Sequence, residues 1–134
     1  MSSRLLVTFT FAALLIGVGA FAADADSIPA DGGEIRITPI LHGSLQLKFG
    51  DTVIQVDPWS KGDYSQAAKA DLILVTDIHG DHLDPEMIDK LSGENTEVVA
   101  TAAVAEKLGT GSVLANGEKR EIAGVSIEAV PMYN

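Results

Sequence analysis

The sequence contains no cysteine. Disulfides, thiolate metal sites, cysteine nucleophiles and lipid attachment through a cysteine are therefore excluded. Basic residues are scarce: 9 Lys and Arg stand against 19 Asp and Glu, a net charge of −10. That balance argues against a nucleic acid as partner, since phosphate backbones need clustered Lys and Arg. It argues equally against an anionic membrane surface. Aromatics make up 5% of the chain, and histidine occurs only as His42, His79 and His82. Neither G-x-G-x-x-G nor G-x-x-x-x-G-K-[ST] occurs, so the loops that cradle nucleotide phosphates are missing. The serine elbow G-x-S-x-G is missing too.

What is present begins with an export pattern. Met1-Ser2-Ser3-Arg4 is a short basic start, and an apolar run follows from Leu5 to Ala22. It closes on Ala20-Phe21-Ala22, small residues in an A-x-A arrangement, and polarity begins at Asp24. This layout predicts a signal peptide over residues 1–22, cut after Ala22, and hence a periplasmic or secreted protein. The rival is an uncleaved anchor, because the run approaches the length of a span. After cleavage no stable membrane span is expected. Phe9, Phe11 and Phe21 leave with the signal, so the mature core must be built from Ile, Val, Leu and Ala.

Residues 23–33 contain Pro29, Gly32 and Gly33 without apolar periodicity and read as a disordered lead-in. One domain is expected over 34–134. Alternation at 34–38, and again at Leu45, Leu47 and Phe49, predicts half-buried strands. Gly50-Asp51 supplies a turn to a return strand at Val53, Ile54 and Val56, which ends at Asp57-Pro58. The stretch from Gly62 to Ala70 reads as a loop. The unbroken run 72–76 predicts a central strand buried on both faces. Asp84-Pro85-Glu86 is a helix start, and Gly93 its expected stop. A short strand at 97–100, a second helix capped by Thr101 and closed by Gly109, and short strands at 113–114, 119–122 and 125–130 complete the pattern. Strands alternating with helices predict a mixed sheet with flanking helices, an α/β (α+β) arrangement.

The chemistry concentrates after the central strand, in Asp77-Ile78-His79-Gly80-Asp81-His82. Imidazole and carboxylate are ligands for borderline divalent metals such as Zn²⁺. A loop at the C-terminal end of a strand is a common seat for a functional site. If that loop is extended, Asp77, His79 and Asp81 project to one side and His82 to the other, giving two adjacent metal positions. The competing reading is a solvated acidic loop with two incidental histidines.

The segment from Asp71 to His82 resembles the signature strand and loop of the metallo-β-lactamase superfamily, T-H-x-H-x-D-H after an apolar strand. Ile40-Leu41-His42-Gly43-Ser44 and Val56-Asp57-Pro58-Trp59 resemble the N-terminal block of its lactonase-like, metal-dependent hydrolase branch. The resemblance implies the N-terminal half of a four-layer αββα sandwich. It implies His79 as a ligand of a first metal, and Asp81 and His82 as ligands of a second. Asp81 would also act catalytically by orienting the bridging hydroxide. Asp77 stands where the superfamily has its first His; as a harder ligand it admits Mn or Fe beside Zn, with one or two ions in all. His42 and Asp57 are candidates for contact with substrate or with a ligating histidine, Trp59 for packing at the rim. The implied activity is attack of a metal-bound hydroxide on an ester, lactone, amide or phosphoester of a small-molecule substrate. No histidine follows His82, so the later ligands of the superfamily are missing and the chain reads as truncated at Asn134. The alternative is accordingly a non-enzymatic metal-binding remnant or an inactive fragment. On ligand count, the 134 residues alone are expected to be inactive, and the second face of strand 72–75 to lack its cover. The sequence does not determine an oligomeric state.

Overall fold

The computed structural model describes residues 25–132. The expected signal peptide over 1–22, with Tyr133 and Asn134, lies outside the described residues. Seven strands form one mixed sheet in simple sequence order, β1 to β7. The first four are β1 (Asp26–Ala30), β2 (Gly33–Leu41), β3 (Ser44–Phe49) and β4 (Thr52–Val56), each antiparallel to the next. The remaining three, β5 (Ala70–Val75), β6 (Ser92–Ala100) and β7 (Ser112–Val113), continue the sheet parallel to β4.

The lead-in over 23–33 is corrected by this arrangement: β1 pairs with β2, Ile28 opposite Ile35. Asp31-Gly32 forms the two-residue turn between them, with Gly32 at φ 85°. Pro29 hides the strand in the sequence, but at a sheet edge its missing N–H costs no ladder bond. The Gly50-Asp51 turn closes β3 onto β4 as expected, with Gly50 at φ 56°.

Two helices make the last two of the three parallel crossovers. Helix α1 (Pro85–Leu91) joins β5 to β6, and α2 (Ala102–Leu108) joins β6 to β7. Asp84 caps α1 by accepting from Met87 N at 3.2 Å, with Pro85 pre-set for the first turn. The stop is Ser92, which leaves in an extended conformation, and not Gly93. Ser92 Oγ and Lys69 Nζ satisfy the last carbonyls of α1, those of Ile88 and Lys90, at 2.8 and 2.7 Å. Thr101 and Gly109 bound α2, the latter at φ 75°.

Strand β5 is the centre of the packing. Ile73 and Val75 face the helices and bury with Leu83, Met87, Ile88, Leu91 and Val104. Leu72 and Leu74 face the other way, toward a hairpin of β8 (Lys119–Ile122) and β9 (Val125–Glu128). Ile122, Val125 and Ile127 of that hairpin pack over Leu72 and Val99, and Leu72 is 0% exposed. The expectation that this face lacks cover is therefore overturned. The result is an α+β fold of helices, a seven-stranded sheet and a two-stranded hairpin. Among the described residues, no helix is long and apolar enough to cross a membrane.

Candidate functional site

Strands β4 and β5 run parallel with Val56 beside Leu74, so their C-terminal ends fall together. Asp57 leaves β4 there at φ 43°, held by a bond from its N–H to Leu74 O at 2.9 Å. Ser44 Oγ donates to Asp57 O at 2.6 Å. The Asp57 side chain is 4% exposed and fully used. Oδ1 accepts from Thr76 N at 2.7 Å, and Oδ2 accepts from Thr76 Oγ1 at 2.5 Å and from His82 Nδ1 at 2.8 Å. That carboxylate fixes the proton of His82 on Nδ1 and leaves Nε2 free to face outward. The Asp57 hydrogen bond raises the pKa of His82 above its ordinary value; partial burial opposes it, and the charges of Asp57, Asp81 and Asp77 add to it.

The loop after β5 is folded, not extended. His82 N and Leu83 N both bond to His79 O, at 3.0 and 2.8 Å. This corrects the alternating-side picture, because a turn at 79–82 replaces the period of two. Asp77 Oδ1 accepts from both His79 N, at 3.1 Å, and His79 Nδ1, at 2.6 Å. The bond from the His79 N–H is the main reason the Asp77 carboxyl is lowered below its usual range. His79 is thus built like His82, with Nδ1 on a carboxylate and Nε2 unused, although it stands 76% exposed. Asp81 Oδ2 lies 3.9 Å from His82 Nε2. Among the described residues, no three His, Asp or Glu side chains gather into one group able to hold a metal ion.

A second segment frames this loop. Gly43 lies against His82: a Cβ there would meet Cε1 at 3.3 Å and Asp57 Oδ2 at 3.7 Å. His42 beside it takes φ 53° and is exposed, its ring edge-on to Trp59 at 5.3 Å. Trp59 N donates to Tyr64 Oη at 2.9 Å, and Ser60 N to Asp84 Oδ2 at 2.9 Å. The chain from Asp57 to Ser60 is therefore clamped to His82 at one end and to the start of α1 at the other. From α2, Lys107 Nζ donates to Ile78 O at 3.1 Å and pins the loop from outside.

Thr76, Ser44, Asp84 and Lys107 are the parts that sequence reasoning did not place at the site. Thr76 read as the end of a strand and Asp84 as a cap, and both readings are true of the backbone. Only the parallel register of β4 and β5 shows that Thr76 also faces Asp57, and no local pattern carries that information.

The family described as "Beta-lactamase superfamily domain" matches residues 36–134. Among solved structures, the chain is similar to a protein assigned as a metal-dependent hydrolase from Parabacteroides distasonis, with 45% identity and a TM-score of 0.77. That match covers 82% of this chain and 51% of the other. A metallo hydrolase from Ignicoccus hospitalis shares the fold at 19% identity and a TM-score of 0.53, over 64% of this chain and 42% of its own. Among curated proteins, the cytidine monophosphate-N-acetylneuraminic acid hydroxylase of Asterias rubens is 30% identical over 89 residues, 54% of this chain and 14% of that protein. The inactive cytidine monophosphate-N-acetylneuraminic acid hydroxylase of Homo sapiens is 29% identical over 82 residues, 49% of this chain and 16% of that protein. The matched region is thus a small part of those relatives and about half of the Parabacteroides distasonis chain. With the family match covering most of the chain, and the fold shared at 45% identity with a metal-dependent hydrolase, the chain belongs to the metallo-β-lactamase superfamily.

Proposed function

We propose that this chain carries the histidine and aspartate loop of a metal-dependent hydrolase acting on a small-molecule ester, lactone, amide or phosphoester. One observation carries the reading. Both loop histidines have Nδ1 tied to a carboxylate, His79 to Asp77 and His82 to Asp57, so that both Nε2 atoms are left for another partner. Histidines that bind metals are oriented in this way.

The donors fit a divalent metal in kind. His79 Nε2 would serve one ion, with the second oxygen of Asp77 beside it, and His82 Nε2 and Asp81 would serve another. In number they fit only part of a site, because no group of three is gathered among the described residues. Zn suits the two imidazoles, and Asp77 admits Mn or Fe. A bound divalent ion supplies Lewis-acid polarisation of the scissile group and lowers the pKa of water toward ~7. The chain's own contribution is to keep both imidazoles in one tautomer and to hold Asp81 beside His82.

Metal content of the purified protein tests this. His79→Ala and His82→Ala should each lower the bound metal, while Asp77→His exchanges the carboxylate that holds His79 Nδ1 for an imidazole donor and should shift preference toward Zn²⁺. Unchanged stoichiometry in both alanine variants would overturn the reading. The missing third ligand favours a second reading, a metal-binding module without turnover. Hydrolysis of a panel of esters, lactones and phosphoesters by the metal-loaded protein separates the two.

Export is proposed from the sequence: the basic start and the A-x-A pattern support a periplasmic or secreted location. Mass spectrometry should find an N-terminus at Ala23. A membrane-bound form retaining Met1 would show an anchor instead.

A further inference from the structure

We propose that His42, Trp59 and Lys61 form the substrate-facing rim of this site and receive an anionic group, a carboxylate or phosphate. The word substrate rests on the function proposed above; the binding itself does not. Among the described residues only His42, Asp57 and Ala123 combine a side chain with a positive φ. Two of these three bracket His82: Asp57 bonds it directly, and His42 precedes the glycine packed on its ring. Residues held in such conformations concentrate at functional sites. Asp57 spends its strain on a buried hydrogen-bond network. His42 makes no such bond among the described residues; its imidazole is exposed, in a T-shaped contact with the indole of Trp59.

Charge supplies the ligand class. The chain is strongly acidic, and the loop itself carries Asp77 and Asp81. Lys61 is the cation that directly follows the segment clamped to that loop, its Nζ 5.6 Å from the Trp59 ring centroid. It makes no ion pair among the described residues. The nearest acid in sequence, Asp63, is turned to the Ser65 N–H at 2.9 Å. Lys107 and Lys69 are occupied with backbone carbonyls. An uncommitted ammonium and an imidazole, both held against one indole at the margin of an acidic loop, form a place for an anion to dock. A neutral substrate would have no use for it.

Trp59 is the only tryptophan in the chain, so its fluorescence reports on this rim alone. The experiment is a titration of metal-stripped protein with inorganic phosphate, with acetate, and with acetamide as the neutral control, at constant ionic strength. Stripping the metal makes the result independent of whether the metal reading holds. A saturable change in Trp59 emission with phosphate or acetate is expected, the tighter of the two naming the group, and none with acetamide. Lys61→Gln should weaken binding about fivefold, the upper range for an exposed ion pair. His42→Asn, which tolerates the same backbone conformation, should weaken it as well. No saturation by either anion would overturn the proposal, as would equal binding by wild type and both variants.

Discussion

Asp57 accepts three hydrogen bonds with two oxygens, and all three donors belong to the site or to the strand that leads into it. Asn in its place keeps the size and loses the charge. Its amide nitrogen would face either the Thr76 N–H or, in the flipped orientation, the Thr76 hydroxyl and the His82 Nδ1–H, donor against donor. Because the group is buried, Asp57→Asn should cost about 2 kcal/mol, the range for hydrogen bonds to charged groups. It should also lower metal affinity about 10- to 100-fold, since the carboxylate orients His82. Urea unfolding and a competitive metal titration check the two effects; a variant equal to wild type in both would show that Asp57 positions nothing. Asp84 gives a pH-dependent counterpart. Burial raises its carboxyl, but bonds from Ser60 and from the Met87 and Glu86 N–H groups outweigh it, so the folded pKa lies below the ordinary 3.8. A depressed carboxyl stabilises the fold above the unfolded pKa, and the contribution is lost as pH falls through the folded value. Stability of the wild type should therefore fall below about pH 4 more steeply than that of Asp84→Asn. Parallel acid limbs in thermal melts of the two proteins would contradict this.

At the scale of elements, the β8–β9 turn holds a correctable fault. Ala123 at φ 51° and Gly124 at φ 73° form a two-residue turn with both central residues left-handed. Such turns prefer Asn-Gly, and Ala pays for its Cβ in that region. Ala123→Asn should stabilise the protein by about 0.5–1 kcal/mol, visible as a higher urea midpoint at unchanged slope; a lower midpoint would mean the turn is not under strain. The same hairpin was legible in the sequence, because Ala123-Gly124 separates two alternating runs. The two helices were legible from Asp84-Pro85 and from Thr101 with Gly109, where local chemistry sets the boundary. Strand β1 was not, because Pro29 masked a hairpin whose turn, Asp31-Gly32, is otherwise plain. The loop composition was also legible, but its geometry was not. Its turn depends on His79 O taking two N–H bonds, and its anchoring depends on Asp57, 25 residues before His82. Distance in sequence, not weakness of signal, hid those partners.

For the whole molecule, the decisive feature is that β5 belongs to two cores at once. Leu72 and Ile73 are adjacent in sequence, are both 0% exposed, and point to opposite faces. Ile73 is covered by the helices, whose crossovers tie them to the sheet. Leu72 is covered by a two-stranded hairpin that forms a separate sheet and holds on through side chains. If both covers are integral to the fold, Leu72→Ala and Ile73→Ala should cost comparable amounts, about 2–5 kcal/mol each, by lost transfer energy and the cavity left behind. The unfolding curves by circular dichroism and by Trp59 fluorescence should then coincide, since one strand couples the two cores into a single transition. A hairpin that detaches on its own gives a different pattern. Leu72→Ala would then cost less than about 1 kcal/mol, because the native face would already be wet for part of the time. Leu72→Ala measured beside Ile73→Ala thus decides whether the hairpin is part of the cooperative unit or a flap on its surface.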